Sequence, residues 1–113
     1  MGKPKKGGYP PPQPITNFIE IIDGKINPAA VTIAWGDLVV WTNKDAVSYS
    51  LAVCTNRQPD SNKIWRVLAG NTSSAPMEFD WSQDKGKDPF TYEYGMLPPG
   101  TAKATITAQI SRF

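Results

Sequence analysis

The 113-residue sequence contains no histidine and a single cysteine, Cys54. An internal disulfide is thereby excluded, as are zinc sites built from Cys and His. No apolar run approaches the roughly 18 residues that a membrane-crossing helix needs, so no membrane span is expected. The basic N-terminus is not followed by an apolar stretch, so no signal peptide is expected in the chain as it stands. Charge of one sign is scarce too: 12 Lys and Arg against 10 Asp and Glu leave a net charge of +2. Lys3, Lys5 and Lys6 all fall in the first few residues, which leaves the rest near neutrality. So small a balance gives no reason to expect nucleic acid as a partner. Without histidine the commonest general acid–base is gone, and no nucleophile–base spacing replaces it. Asp80, Asp84 and Glu93 are acidic, but they fall in a charged loop and on an outward strand face. An enzyme is not expected, and no cofactor is implied.

What is present is turn formers set among strand formers. Eleven Pro and nine Gly alternate with Val, Ile, Thr and aromatic residues, the composition of an all-β domain. The organising stretch is Val31 to Val53. Ile33 and Trp35 precede Gly36-Asp37, a tight-turn dipeptide, and Val39 and Trp41 follow it. Asn43-Lys44-Asp45 then makes a corner, because Asn and Asp side chains satisfy nearby backbone groups. Tyr49, Leu51 and Val53 alternate with small residues at the period of two that marks a half-buried strand.

The remaining segments obey the same logic. Residues Met1 to Pro14 are Gly-, Pro- and Lys-rich with nothing to bury, and read as a disordered arm or linker. The domain proper is then 15–113. Thr16 to Ile22 is a strand turned by Asp23-Gly24. Thr55 to Asp60 reads as a polar passage, and Asn62 to Leu68 as a short strand or one helical turn ended by Gly70. Met77, Phe79 and Trp81 share a face, and Ser82 to Asp88 form a solvated loop. Phe90, Tyr92, Tyr94 and Met96 line one side of a strand that ends in the loop Leu97-Pro98-Pro99-Gly100. Ala104, Ile106, Ala108 and Ile110 point inward from a last strand. Cys54, at the end of an alternating strand, reads as a core or partly buried thiol. Seven or eight strands with little or no helix make a two-sheet Greek-key β-sandwich.

From Phe18 to about Ile110 the order of pieces resembles the cupredoxins, the blue-copper family that includes plastocyanin and amicyanin. The carriers are the Pro28 to Val31 approach, the run Gly36-Asp37-x-Val39-x-Trp41-x-Asn43-x-Asp45, and Tyr92-x-Tyr94 with its Pro-rich loop. The resemblance implies copper held by an early histidine and by a cysteine, a histidine and usually a methionine on the last loop. In this sequence Tyr49 stands at the early position. Met96 stands at the cysteine and Pro99 at the second histidine; in the other register these are Tyr94 and Leu97. No type 1 copper site is expected from such residues.

The resemblance therefore implies a copper-free binding or scaffold domain. Its expected contact with a protein partner is the loop end, through Tyr49, Leu97, Pro98 and Pro99. Two other readings are a carbohydrate-binding module using Trp65 and Trp81, and electron transfer through a non-standard metal site. An extracytoplasmic location follows from the resemblance alone.

Overall fold

A computed structural model describes residues 13–98 and 102–110. The arm over residues 1–12 and Pro99 lie outside the described residues. Among the described residues nine strands and one helical turn succeed one another: β1 (Thr16–Ile22), β2 (Lys25–Asn27), β3 (Ala30–Ala34), β4 (Leu38–Asn43), β5 (Tyr49–Thr55), β6 (Gln58–Leu68), β7 (Met77–Glu78), α1 (Ser82–Lys85), β8 (Phe90–Leu97) and β9 (Lys103–Gln109). They form a four-stranded sheet, β2-β1-β4-β7, packed on a five-stranded sheet, β3-β9-β8-β5-β6. The expected all-β sandwich is what forms. The strand beyond the expected count is the short β2, too brief to leave a periodic signal, and of the alternating segment around Met77 to Trp81 only Met77–Glu78 pairs as strand.

The Gly36-Asp37 turn does not make a hairpin. It carries the chain from one sheet to the other: β3 runs parallel to β9 and β4 runs parallel to β1. Asp37 is 2% exposed, and its carboxylate accepts the N–H groups of Ala34 and Ile15, each at 3.0 Å. One acidic side chain thus closes the crossing and ties the start of β1 to it. Gly36 sits at φ +95°, a conformation that side chains oppose.

The β5–β6 connection corrects a second expectation. Asn56 and Arg57 occupy φ 53° and 68°, which suits a two-residue primed turn. The polar passage after Thr55 is therefore a hairpin, and β6 begins at Gln58 rather than near Asn62. Arg57 stands where glycine is usual, which hid the signal. Pairing also settles Asn62 to Leu68 as strand. Leu51 is opposite Arg66 while Ala52 is opposite Ile64, so Trp65 is the extra residue of a β-bulge. Bulges re-aim a side chain, and here the indole turns inward.

The core lies between the sheets. Ile19, Ile21, Ile33, Val39, Trp41, Leu51, Phe79, Tyr94, Met96 and Ile106 are all essentially inaccessible, each contributing roughly 1.5–3 kcal/mol by leaving water. Ile110, expected inward, is 77% exposed, because β9 ends at Gln109 and none of the described residues covers the next one. Val53 is only half-buried, for it borders an open cleft beside Trp65. Cys54 is half-buried and free, and burial raises its pKa above the ordinary thiol value.

Candidate functional site

The end of the sandwich that carries Tyr49 is built on the Asn43–Asp45 corner. Asn43 is fully buried. Its amide donates to the carbonyls of Val47 at 2.8 Å and Ala69 at 3.2 Å, with Leu68 at 3.4 Å. Its side-chain oxygen accepts Asp45 N–H at 2.9 Å. Asp45 in turn accepts the N–H groups of Asp23 (2.7 Å) and Gly24 (2.8 Å) and the Tyr49 hydroxyl (2.8 Å). These donors, led by Gly24 N–H, hold its carboxyl below the ordinary value, and the bond to Asp45 raises the Tyr49 phenol. The β1–β2 turn, the corner and the start of β5 are thereby clamped together. Gly70 closes the same region: a Cβ there would collide with the Ala46 carbonyl group.

Cross-strand register places the other residues. Leu51 is opposite Met96, and Ser50 is opposite Leu97. Tyr49 and Met96 therefore lie diagonally across β5 and β8 on the inward face, both buried; such diagonal pairs stand roughly 7–8 Å apart. Tyr94, two residues further in, is fully buried and accepts the Trp41 indole N–H at 3.1 Å. Burial pushes its phenol up to about 12, despite that indole bond. Leu97 has the opposite parity and faces outward, half-buried, beside exposed Pro98. Tyr49 and Leu97 thus share one end of the sheet but not one surface. The exposed apolar side chains there are Val47, 57% accessible, and Val67, 70% accessible, opposite Ser50 and so in the same outer row as Leu97. Sequence reading passed over both, since an isolated valine carries no signal of exposure.

Trp65 and Trp81 come together elsewhere. Both are half-buried and lie nearly parallel, 16° apart with centroids at 6.4 Å. They line an open cleft of about 420 Å³ with Val53, Gln83, Asp84, Phe90 and Tyr92. The Tyr92 hydroxyl donates to Asp84 at 2.7 Å; burial first, then this bond, raises its pKa. Asp80 is paired with Lys85 at 2.9 Å on the adjoining loop, and Glu93 lies half-buried on β8 opposite Thr105. These three carboxylates are not gathered into one acid–base pair.

No protein-family profile matches the chain, and no curated protein sequence matches it. Solved structures do. A purple cupredoxin from Nitrosopumilus maritimus superposes with a TM-score of 0.64 at 18% identity, over 81% of this chain and 98% of that one. An oxidised amicyanin variant gives 0.61 at 14% identity, over 81% and 80%. A Cu-containing nitrite reductase from Thermus scotoductus gives 0.62 at 17% identity, over 94% of this chain and 25% of that one. The fold is that of a cupredoxin-like β-sandwich, as the sequence resemblance implied.

The residues that the sequence resemblance puts at the copper-ligand positions do not fit type 1 copper. That site needs two imidazoles and a thiolate, and the whole sequence holds no histidine. The Tyr49 phenol is engaged by Asp45 and its ionisation is opposed. Met96 offers only a thioether. Cys54 lies toward the far end of β5 from Tyr49. Among the described residues no group of three or more His, Cys, Asp or Glu converges on a point.

Proposed function

We propose that this chain is a copper-free, non-catalytic binding domain of cupredoxin-like fold that engages a protein partner through the end where the family's ligands would sit. The observation that carries the reading is the division of that end into two layers. Inside, Tyr49 and Met96 are buried and fill the space between the sheets. Outside, Val47 and Pro98 are exposed, and Leu97 joins exposed Val67 along the outer row. Loops at one end of a sandwich are common carriers of function, because the sheets hold them without relying on them for the core. Extracytoplasmic residence is part of the same reading.

The test is a photo-crosslinking residue placed at Val47, with one at Phe18 as a control on the outer face of the other sheet. A specific adduct from Val47 alone supports the reading, and Leu97→Asp should then weaken the complex about thirtyfold or more if the contact is central. Equal adducts from both positions, or normal binding by Leu97→Asp and Val47→Asp, would refute it. Subcellular fractionation tests the location.

A further inference from the structure

The aromatic cleft lies away from the Tyr49 end. Its walls on β8, Phe90 and Tyr92, precede Met96 by six and four residues, roughly 13–20 Å along a strand. Trp65 and Trp81 are nearly parallel, but the other rings are not in line with them. Tyr92 crosses Trp65 at 64°, Trp81 at 63° and Phe90 at 77°, with centroids 4.8–5.9 Å apart. Rings meeting so steeply make a box corner. A flat pyranose ring needs one broad face and a rim of hydrogen-bonding groups, whereas the polar lining here is Gln83 and Asp84, with Asp84 already taking the Tyr92 hydroxyl. A compact, apolar-rimmed cation suits several converging ring faces better, since each face carries negative quadrupolar charge.

A cation of the protein itself already stands beside two of the lining residues. Lys87 Nζ lies 5.4 Å from the Phe90 ring centroid and 4.0 Å from the Asp84 carboxylate. Its side chain is 63% exposed, so it can swing into solvent at little cost. A lysine ammonium is strongly hydrated. An ammonium carrying methyl groups would leave water more readily and cover more of the apolar lining.

We propose that this cleft binds a small organic cation with a quaternary ammonium group, seated among the lining rings of Trp65, Trp81 and Phe90 with buried Tyr92 behind them, and balanced by Asp84. The bulge at Trp65 is what turns that indole into the cleft, which gives the irregularity in β6 a role.

The test titrates the full chain with choline chloride, monitored by calorimetry and tryptophan fluorescence, against its neutral carbon analogue 3,3-dimethylbutan-1-ol. Choline should bind saturably and at least about fivefold more tightly than the analogue. Asp84→Asn should weaken choline by about fivefold or more, and Lys87→Gln should tighten it about two- to threefold by removing a competing positive charge beside Asp84 and Phe90. Urea denaturation checks that both variants remain folded. Co-sedimentation with phosphatidylcholine vesicles separates a lipid headgroup from a free ligand: either source supports the cation site. Equal affinity for the neutral analogue, no saturation by choline up to about 50 mM, or binding of cellotriose in its place would overturn the proposal.

Discussion

Replacing Asn43 by Ala would remove the buried amide on which the Tyr49 end is built. Three strong hydrogen bonds are lost: those to Val47 and Ala69 and the one accepted from Asp45 N–H. At roughly 0.5–1.5 kcal/mol net for each, the loss is about 3 kcal/mol, and a cavity in place of a fully buried side chain offers no new partners. A domain of this size has on the order of 5–15 kcal/mol to lose. The expected result is a melting temperature lower by about 12–15 °C. Urea denaturation monitored by tryptophan fluorescence measures the change, with the m-value unaltered if the rest of the sandwich unfolds as one unit. Asn43→Asp is the sharper comparison. It keeps an acceptor for Asp45 N–H but sets a carboxylate against two or three carbonyl oxygens, so it should be no more stable than Asn43→Ala. A cost below about 1 kcal/mol for Ala, or wild-type stability for Asp, would refute the reasoning.

Asp45 adds a pH dependence: its folded pKa lies below the unfolded value, so its contribution is complete above about pH 4 and is lost as pH falls through the lower folded value. Acid titrations of wild type and Asp45→Asn should differ in that limb alone, and identical limbs would count against the clamp. The Tyr94 phenol is raised to about 12 by burial, so its neutral form stabilises the fold below pH 10 and this is lost between about pH 10 and 12; Tyr94→Phe should flatten the alkaline limb while lowering stability at pH 7 by about 1–3 kcal/mol, because the Trp41 indole N–H loses its acceptor. Arg57→Gly relieves a left-handed backbone at φ 68° and should raise stability by up to about 1 kcal/mol in thermal melts; destabilisation would show that the turn is held by something else. Tyr49→His with Met96→Cys places an imidazole and a thiolate on diagonal inward positions, so affinity for Zn(II) should rise measurably by calorimetry, and unchanged affinity would contradict that placement.

The sequence by itself determined the class of architecture. Alternation at Tyr49 and Leu51, at Phe90 to Met96 and at Ala104 to Ala108 gave strand faces that the burial pattern repeats, because a period of two survives any arrangement of neighbours. The Asn43–Asp45 corner was legible from its local bonds, Asp45 N–H to Asn43 and Asn43 to Val47, but its ties to Asp23, Gly24, Leu68 and Ala69 come from distant segments. The missing imidazoles were legible too, since ligand chemistry depends on residue type before geometry. Tertiary structure alone decided what depends on pairing. Gly36-Asp37 reads locally as a tight turn, yet whether its strands join one sheet or two is set by β9 and β1, distant in the chain. Trp65 could not be oriented from sequence, because a one-residue bulge against β5 reverses the parity of the strand residues beyond it. Leu97 and Tyr49 were grouped by their common end, but parity on paired strands puts them on opposite faces of one sheet. The aromatic cleft joins residues from β5, β6, β8 and the segment after β7, and no local pattern brings those rings together. Local periodicity records which way a side chain points from its own strand. Which strands meet there is decided by the long-range packing of the two sheets.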